Sequence, residues 1–200
     1  YKAERTATIT VTEHNFNGDG MTVTVNGTAR SVNWYQAGGD VHKGTVTFAT
    51  DGDYVFNVEC TDLSGRTAAN YNEDKFTVDL TNPTVEITGV ADKSANKDVV
   101  SPAIRIDDTN YSANDVTITL VGAKKGSVDV GSMVSRTNSE TGQILSFANF
   151  GDDMDDVYTL TAKSMDKVGN ETTQSITFSV NRHGSTYAIN KDTKKMLDKG

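Results

Sequence analysis

The chain carries one strand, turn and strand pattern twice. Residues 59–67 read ECTDLSGRT and residues 163–171 read KSMDKVGNE; each follows a tyrosine-led alternating segment and precedes another segment ending in valine. Asp62 lies eight positions after Tyr54, and Asp166 eight positions after Tyr158, with Gly65 and Gly169 three residues further on. A glycine at that place supplies the positive φ that joins two antiparallel strands in a short turn. Two copies of one unit imply two domains of one class, and 200 residues suffice for two small domains.

The alternation identifies the class. Apolar residues recur at every second position in Ala7, Ile9 and Val11, in Met21, Val23 and Val25, in Val46 and Phe48, and in Phe56, Val58 and Cys60. That is the period of a strand with one buried face. The second half keeps the order: Ile104 falls on Ile9, Ile106 on Val11 and Asn110 on Asn15 at an offset of 95, and the offset grows to 104 at Tyr54 and Tyr158. Insertions have entered the loops while the strands kept their order. No helical period longer than a turn or two appears. The reading is all-β, with six or seven short strands per domain and turn signals every 8 to 12 residues, as in a two-sheet sandwich.

The boundary falls in DLTNPTVEI, where Asn82 and Pro83 interrupt the ladder before Val85 and Ile87 begin the next strand. The expected domains are residues 1–81 and 82–182, with 183–200 a linker or the start of a further module. The second copy has an opening strand in PTVEITG, whereas YKAER leaves almost no room for its counterpart. The first domain is therefore expected to lack its first strand, and the natural protein to be longer at both ends.

Charge and cysteine content narrow the partners. Six basic side chains stand against eleven acidic ones in residues 1–81, and nine against fourteen in 82–182. An acidic surface of this kind repels phosphate, so neither nucleic acid nor anionic lipid is expected as a partner. No apolar run approaches a membrane span. The single cysteine, Cys60, excludes an internal disulfide framework and is expected as a small core residue.

These features resemble the bacterial immunoglobulin-like (Ig-like) domains found in tandem in secreted and surface-attached proteins. The likeness rests on the strand, D-x-x-G-x turn and strand ending in both halves, and on DGDYVF, which resembles the tyrosine corner of such sandwiches with Tyr54 and Tyr158 at the corners. Phe56 and Leu160 stand where antibody domains place a cysteine. The resemblance implies two tandem Ig-like β-sandwiches of an exported protein, secreted or attached to the cell wall. Their role would be that of a spacer or adhesion module with flanking domains in the same chain and a host or cell-wall ligand, glycan or protein. The alternative is a pair of accessory modules that bind carbohydrate or position substrate for a secreted glycan-active enzyme.

No catalytic frame is present around His14, His42 or His183, and neither an enzyme nor a cofactor is expected. The acidic groups Asp51, Asp53, Asp79, Asp107, Asp108 and Asp152–Asp156 lack the spacing of a known calcium loop, so they are read as solvated turn carboxylates and no metal is expected. Asp62 and Asp166 are expected to accept backbone hydrogen bonds within their turns. In SVNWYQAGGDVHKG, Trp34 and Tyr35 are the candidate ligand contacts, since an exposed aromatic pair stacks on a sugar ring; the competing role for an aromatic here is a core plug. Tyr54, Asp62, Gly65, Pro83, Tyr158, Asp166 and Gly169 are assigned structural roles.

Overall fold

Alternating, Thr-rich segments become strands because one face can be buried while threonines face water. The computed structural model describes residues 1–68, 73–151 and 153–183, and every regular element in them longer than three residues is a β-strand. Asp152 and residues 184–200 lie outside the described residues, and with them most of the expected linker. The chain divides into two compact units. Unit 1 takes Tyr1–Pro83, Asp108–Asp115 and Met165–Thr172; unit 2 takes Thr84–Asp107, Val116–Ser164 and the chain from Thr173.

Unit 1 contains β1 (Arg5–Thr12), β2 (Met21–Val25), β3 (Thr28–Ala29), β4 (Tyr35–Gly38), β5 (Val41–Phe48), β6 (Gly52–Cys60) and β7 (Asp74–Val78). They form two antiparallel sheets, β1-β5-β4 and β3-β2-β6-β7. The turn between β2 and β3 is Asn26-Gly27 with φ of 50° and 74°, the pair of positive values that a two-residue hairpin needs. Val23, Val25, Phe56 and Val78 from one sheet close on Phe48 from the other, with Ala7, Ile9, Val46 and Trp34 packed against them. The Phe48 ring meets those of Tyr54, Phe56 and Phe76 edge-on at 4.9, 5.6 and 4.9 Å. Burying one such ring contributes roughly 1.5–3 kcal/mol, so this aromatic knot anchors a core that no disulfide supports.

Unit 2 contains β8 (Thr84–Thr88), β9 (Ala95–Asn96), β10 (Ala103–Asp107), β11 (Val116–Gly122), β12 (Gly126–Val128), β13 (Val134–Asn138) and β14 (Gly142–Phe147). β15 (Asp156–Met165) and β16 (Glu171–Val180) complete it, except that Met165, Glu171 and Thr172 fall in unit 1. The sheets run β13-β14-β10-β8 and β12-β11-β15-β16-β9, with β9 parallel to β16. Ile104, Ile106, Leu145 and Phe147 face Leu120, Tyr158, Leu160, Ala162 and Phe178, all buried. Asp156, itself buried, accepts the backbone N–H of Lys124, Lys125 and Val157 at 2.8 to 3.1 Å. Burial pushes its carboxyl up, but those three donors outweigh that and hold it below the ordinary range. Gly122 makes room for this anchor, since a Cβ there would stand 2.4 Å from Asp156 Oδ2.

In unit 2, β8-β10-β14-β13 against β11-β15-β16 is the A-B-E-D against C-F-G arrangement of an immunoglobulin sandwich. Unit 1 repeats it with β1-β5-β4 as B-E-D and β2-β6-β7 as C-F-G. The chain is thus all-β, two Ig-like β-sandwiches in tandem. The two copies differ at one edge. β10 pairs with β8 on one side and β14 on the other, while β1 pairs with β5 alone among the described residues.

Candidate functional site

Polar chemistry concentrates in unit 1, at the end of β7 and in the two segments 108–115 and 165–172. The repeated turn supplies the first part. Asp166 is 2% exposed; its Oδ1 accepts the backbone N–H of Val168, Gly169 and Asn170 at 2.7 to 2.9 Å, and its Oδ2 accepts Asn170 Nδ2 at 2.8 Å. Gly169, at φ 96°, permits the tight wrap. The first copy builds the same turn on Asp62, whose Oδ1 accepts Ser64 N, Ser64 Oγ and Arg66 N, each at 2.8 Å, with Gly65 at φ 80°. The Arg66 N–H, then the Ser64 hydroxyl, hold the Asp62 carboxyl below its ordinary range.

Asp79 and Asp108 join Asp166. Asn170 Nδ2 also donates to the backbone carbonyls of Asp79 at 2.9 Å and Thr81 at 3.1 Å. Asn110 Nδ2 donates to Asp79 Oδ2 at 2.7 Å, and the Asn110 backbone N–H donates to Asp108 Oδ1 at 2.6 Å. Two asparagine amides therefore tie three stretches that are far apart in sequence. Oxygens of Asp79, Asp108 and Asp166 all lie within 4.8 Å of one another. Burial first, then the charges of Asp79, Asp166 and Asp51, push the Asp108 carboxyl above its usual value. Close by, Asp51 accepts Leu80 N at 2.6 Å and Thr81 Oγ1 at 2.5 Å, and the Thr81 hydroxyl and then the Leu80 N–H hold its carboxyl low.

Of the acids expected as solvated turn carboxylates, Asp51, Asp53 and Asp153 are exposed, but Asp79 and Asp156 are buried, because backbone and asparagine N–H groups replace water at their oxygens. Asp62 and Asp166 accept the backbone hydrogen bonds expected within their turns and are buried as well. Chemically, the cluster can hold a proton at Asp108 or bring three carboxylates to one hard cation, which needs six to eight oxygens for calcium. Asn110 and Asn170 went unrecognised as site residues. The available signals were the repeat itself, which sets Asn110 on Asn15, and the D-x-x-G-N order of the second turn.

The aromatic candidates separate. Trp34 is half-buried against the unit 1 core, edge-on to Phe16 at 5.5 Å, and lies over Gly44, where an added Cβ would come within 3.1 Å of the indole. Tyr35 is 56% exposed at the start of β4. Tyr54 Oη donates to the Thr50 carbonyl at 2.8 Å and Tyr158 Oη to the Met154 carbonyl at 2.9 Å. Burial, and then Asp156, push the Tyr158 phenol up to about 12. Pro83 is the last residue of the first segment of unit 1 and is buried. Cys60 is half-buried rather than enclosed, and burial raises its thiol before the charges of Glu13 and Asp62 add to the effect.

No protein-family model and no curated protein matches the chain. Among solved structures, it is similar to the I-band fragment I67–I69 from titin at 10% identity and a TM-score of 0.44, with 89% of this chain and 60% of that one covered. It is similar to the Yersinia pseudotuberculosis adhesin InvE at 14% identity and a TM-score of 0.37, covering 88% and 55%. A third likeness is to SGBP-B of the Bacteroides ovatus mixed-linkage glucan utilization locus, in complex with a mixed-linkage heptasaccharide, at 16% identity and a TM-score of 0.23, covering 88% and 41%. The chain spans 60% or less of each of these chains. Its fold class rests on the strand order and cores of the two units.

Proposed function

We propose that the chain is a non-enzymatic pair of Ig-like spacer or adhesion modules from an exported bacterial surface protein. One observation supports this reading above the others: the polar cluster at the end of β7 braces the backbone. Asn110, Asn170, Asp79 and Asp166 direct their side chains onto one another and onto backbone groups, fixing the end of β7 to residues 108–115 and 165–172. Such a network resists local opening, which is what a load-bearing module needs. Partners in this reading are flanking domains of the same chain and a glycan or protein ligand held elsewhere in it.

Pulling single molecules from both ends tests the idea. A spacer of this construction unfolds in two discrete events, and Asn170→Ala lowers the force of one of them. Extension without a discrete force peak, or identical forces for the variant, would refute the load-bearing role. Incubating the protein with plant and bacterial polysaccharides adds an independent check, since affinity lost on Tyr35→Ala would favour the glycan-binding alternative.

A further inference from the structure

Beside β1 lies a groove of about 970 Å³ lined by Ala7, Ile9, Val11, Phe56, Val58 and Phe76. The second copy shows what this space is built to hold. There Ile104 and Ile106, the counterparts of Ile9 and Val11, are 0% exposed, as are Ala162 and Ser164, the counterparts of Val58 and Cys60. β8 lies on β10 in that copy, with Ile87 opposite Ile104 and Val85 opposite Ile106. In unit 1 all four counterparts are only half-buried, and β1 offers a second edge that pairs with nothing among the described residues. An edge strand over an apolar groove is a template for one more strand.

We propose that unit 1 is completed by an extended segment with apolar side chains at alternate positions, as in Thr84–Thr88, laid antiparallel on β1 and supplied in cis from the chain ahead of Tyr1. The position of Tyr1 argues for the source. The Asp79 N–H donates to the Tyr1 carbonyl at 2.9 Å, as the Asn181 N–H donates to the Asn96 carbonyl at 2.9 Å. Asp79 follows Val78 as Asn181 follows Val180, so Tyr1 occupies the place of Asn96 at the end of β9. The second copy uses residues 89–94 to pass from β8 to β9. A strand ending the same distance ahead of Tyr1 reaches the groove by the same path. Transferring the β8–β10 register sets its two inward side chains opposite Ile9 and Val11 and its central polar residue opposite Thr10. This inference does not depend on the spacer reading.

The experiment grafts a copy of residues 83–95 ahead of Tyr1 and compares it with the same graft carrying Val85→Asp and Ile87→Asp. The intact graft should slow hydrogen exchange at β1 amides by tenfold or more and raise the melting temperature of unit 1 by about 5 °C, while the double-aspartate graft should do neither. In a Cys60→Ser background, Thr10→Cys and a cysteine replacing the grafted copy of Glu86 should form a disulfide and report the register. Grafts that behave alike overturn the proposal. Free peptide PTVEITG that protects β1 when the graft does not would assign the groove to a separate molecule, and that result also overturns the source in cis.

Discussion

Replacing Asp108 with asparagine should make unit 1 more stable at neutral pH. Asp79 and Asp166 are buried and held by N–H donors, and Asp108 brings a third carboxylate to within 4.8 Å of them. Two unit charges at that separation repel by about 0.9 kcal/mol in a water-like dielectric and about 3.5 kcal/mol at an effective dielectric near 20. Because Asp108 is partly exposed, solvent screening places the relief near the lower figure, about 1 kcal/mol. Asparagine retains the oxygen that accepts the Asn110 N–H, so the turn itself is kept.

The sign has a pH signature. The Asp108 carboxyl is raised in the folded protein, so its cost is absent below the unfolded aspartate value near 4 and develops as pH rises through the folded value. Urea midpoints at pH 3.5, 5.5 and 7 for the native chain and Asp108→Asn should therefore converge at the acid end and separate by about 1 kcal/mol at neutrality. A variant less stable than the native chain at pH 7, by an amount insensitive to pH, would refute the repulsion argument. Repeating the pH 7 measurement with millimolar calcium adds a second decision. Calcium stabilisation of the native chain that disappears in the variant would identify the cluster as a cation site and overturn the expectation of no metal.

Tyr158→Phe should cost about 1–1.5 kcal/mol, since the Met154 carbonyl loses its donor inside unit 2; Tyr54→Phe should cost less because Tyr54 is only half-buried, and paired melting curves compare them. Asp156→Ala should destabilise unit 2 by about 3 kcal/mol by orphaning three backbone N–H groups. The Asp156 contribution should be present above pH ~4 and lost on acidification, the reverse of Asp108, because its folded carboxyl is depressed. Trp34→Ala should cost about 2 kcal/mol in unit 1, and the native indole should emit as a half-buried group whose spectrum added polysaccharide leaves unchanged; a shift on adding polysaccharide would restore Trp34 as a ligand contact.

Period-two alternation and the duplicated turn determined the strands, the all-β class and the two-copy organisation, because both follow from local rules: side chains of a strand alternate faces, and a glycine at positive φ reverses the chain. Tyr54 and Tyr158, Asp62 and Asp166 were legible as repeated positions for the same reason, since their hydrogen-bond partners lie within four residues. The acid cluster was not. Asp79, Asp108 and Asp166 are far apart in sequence, and Asp79 is tied to the other two by Asn110 and Asn170, which reach it from distant segments and which no local pattern encodes. Nor could alternation tell that Ile9 and Val11 border an open groove while Ile104 and Ile106 are sealed. The two strands carry the same pattern, and burial is decided by whether a neighbouring strand lies on the free edge, which is a property of the assembled sheet.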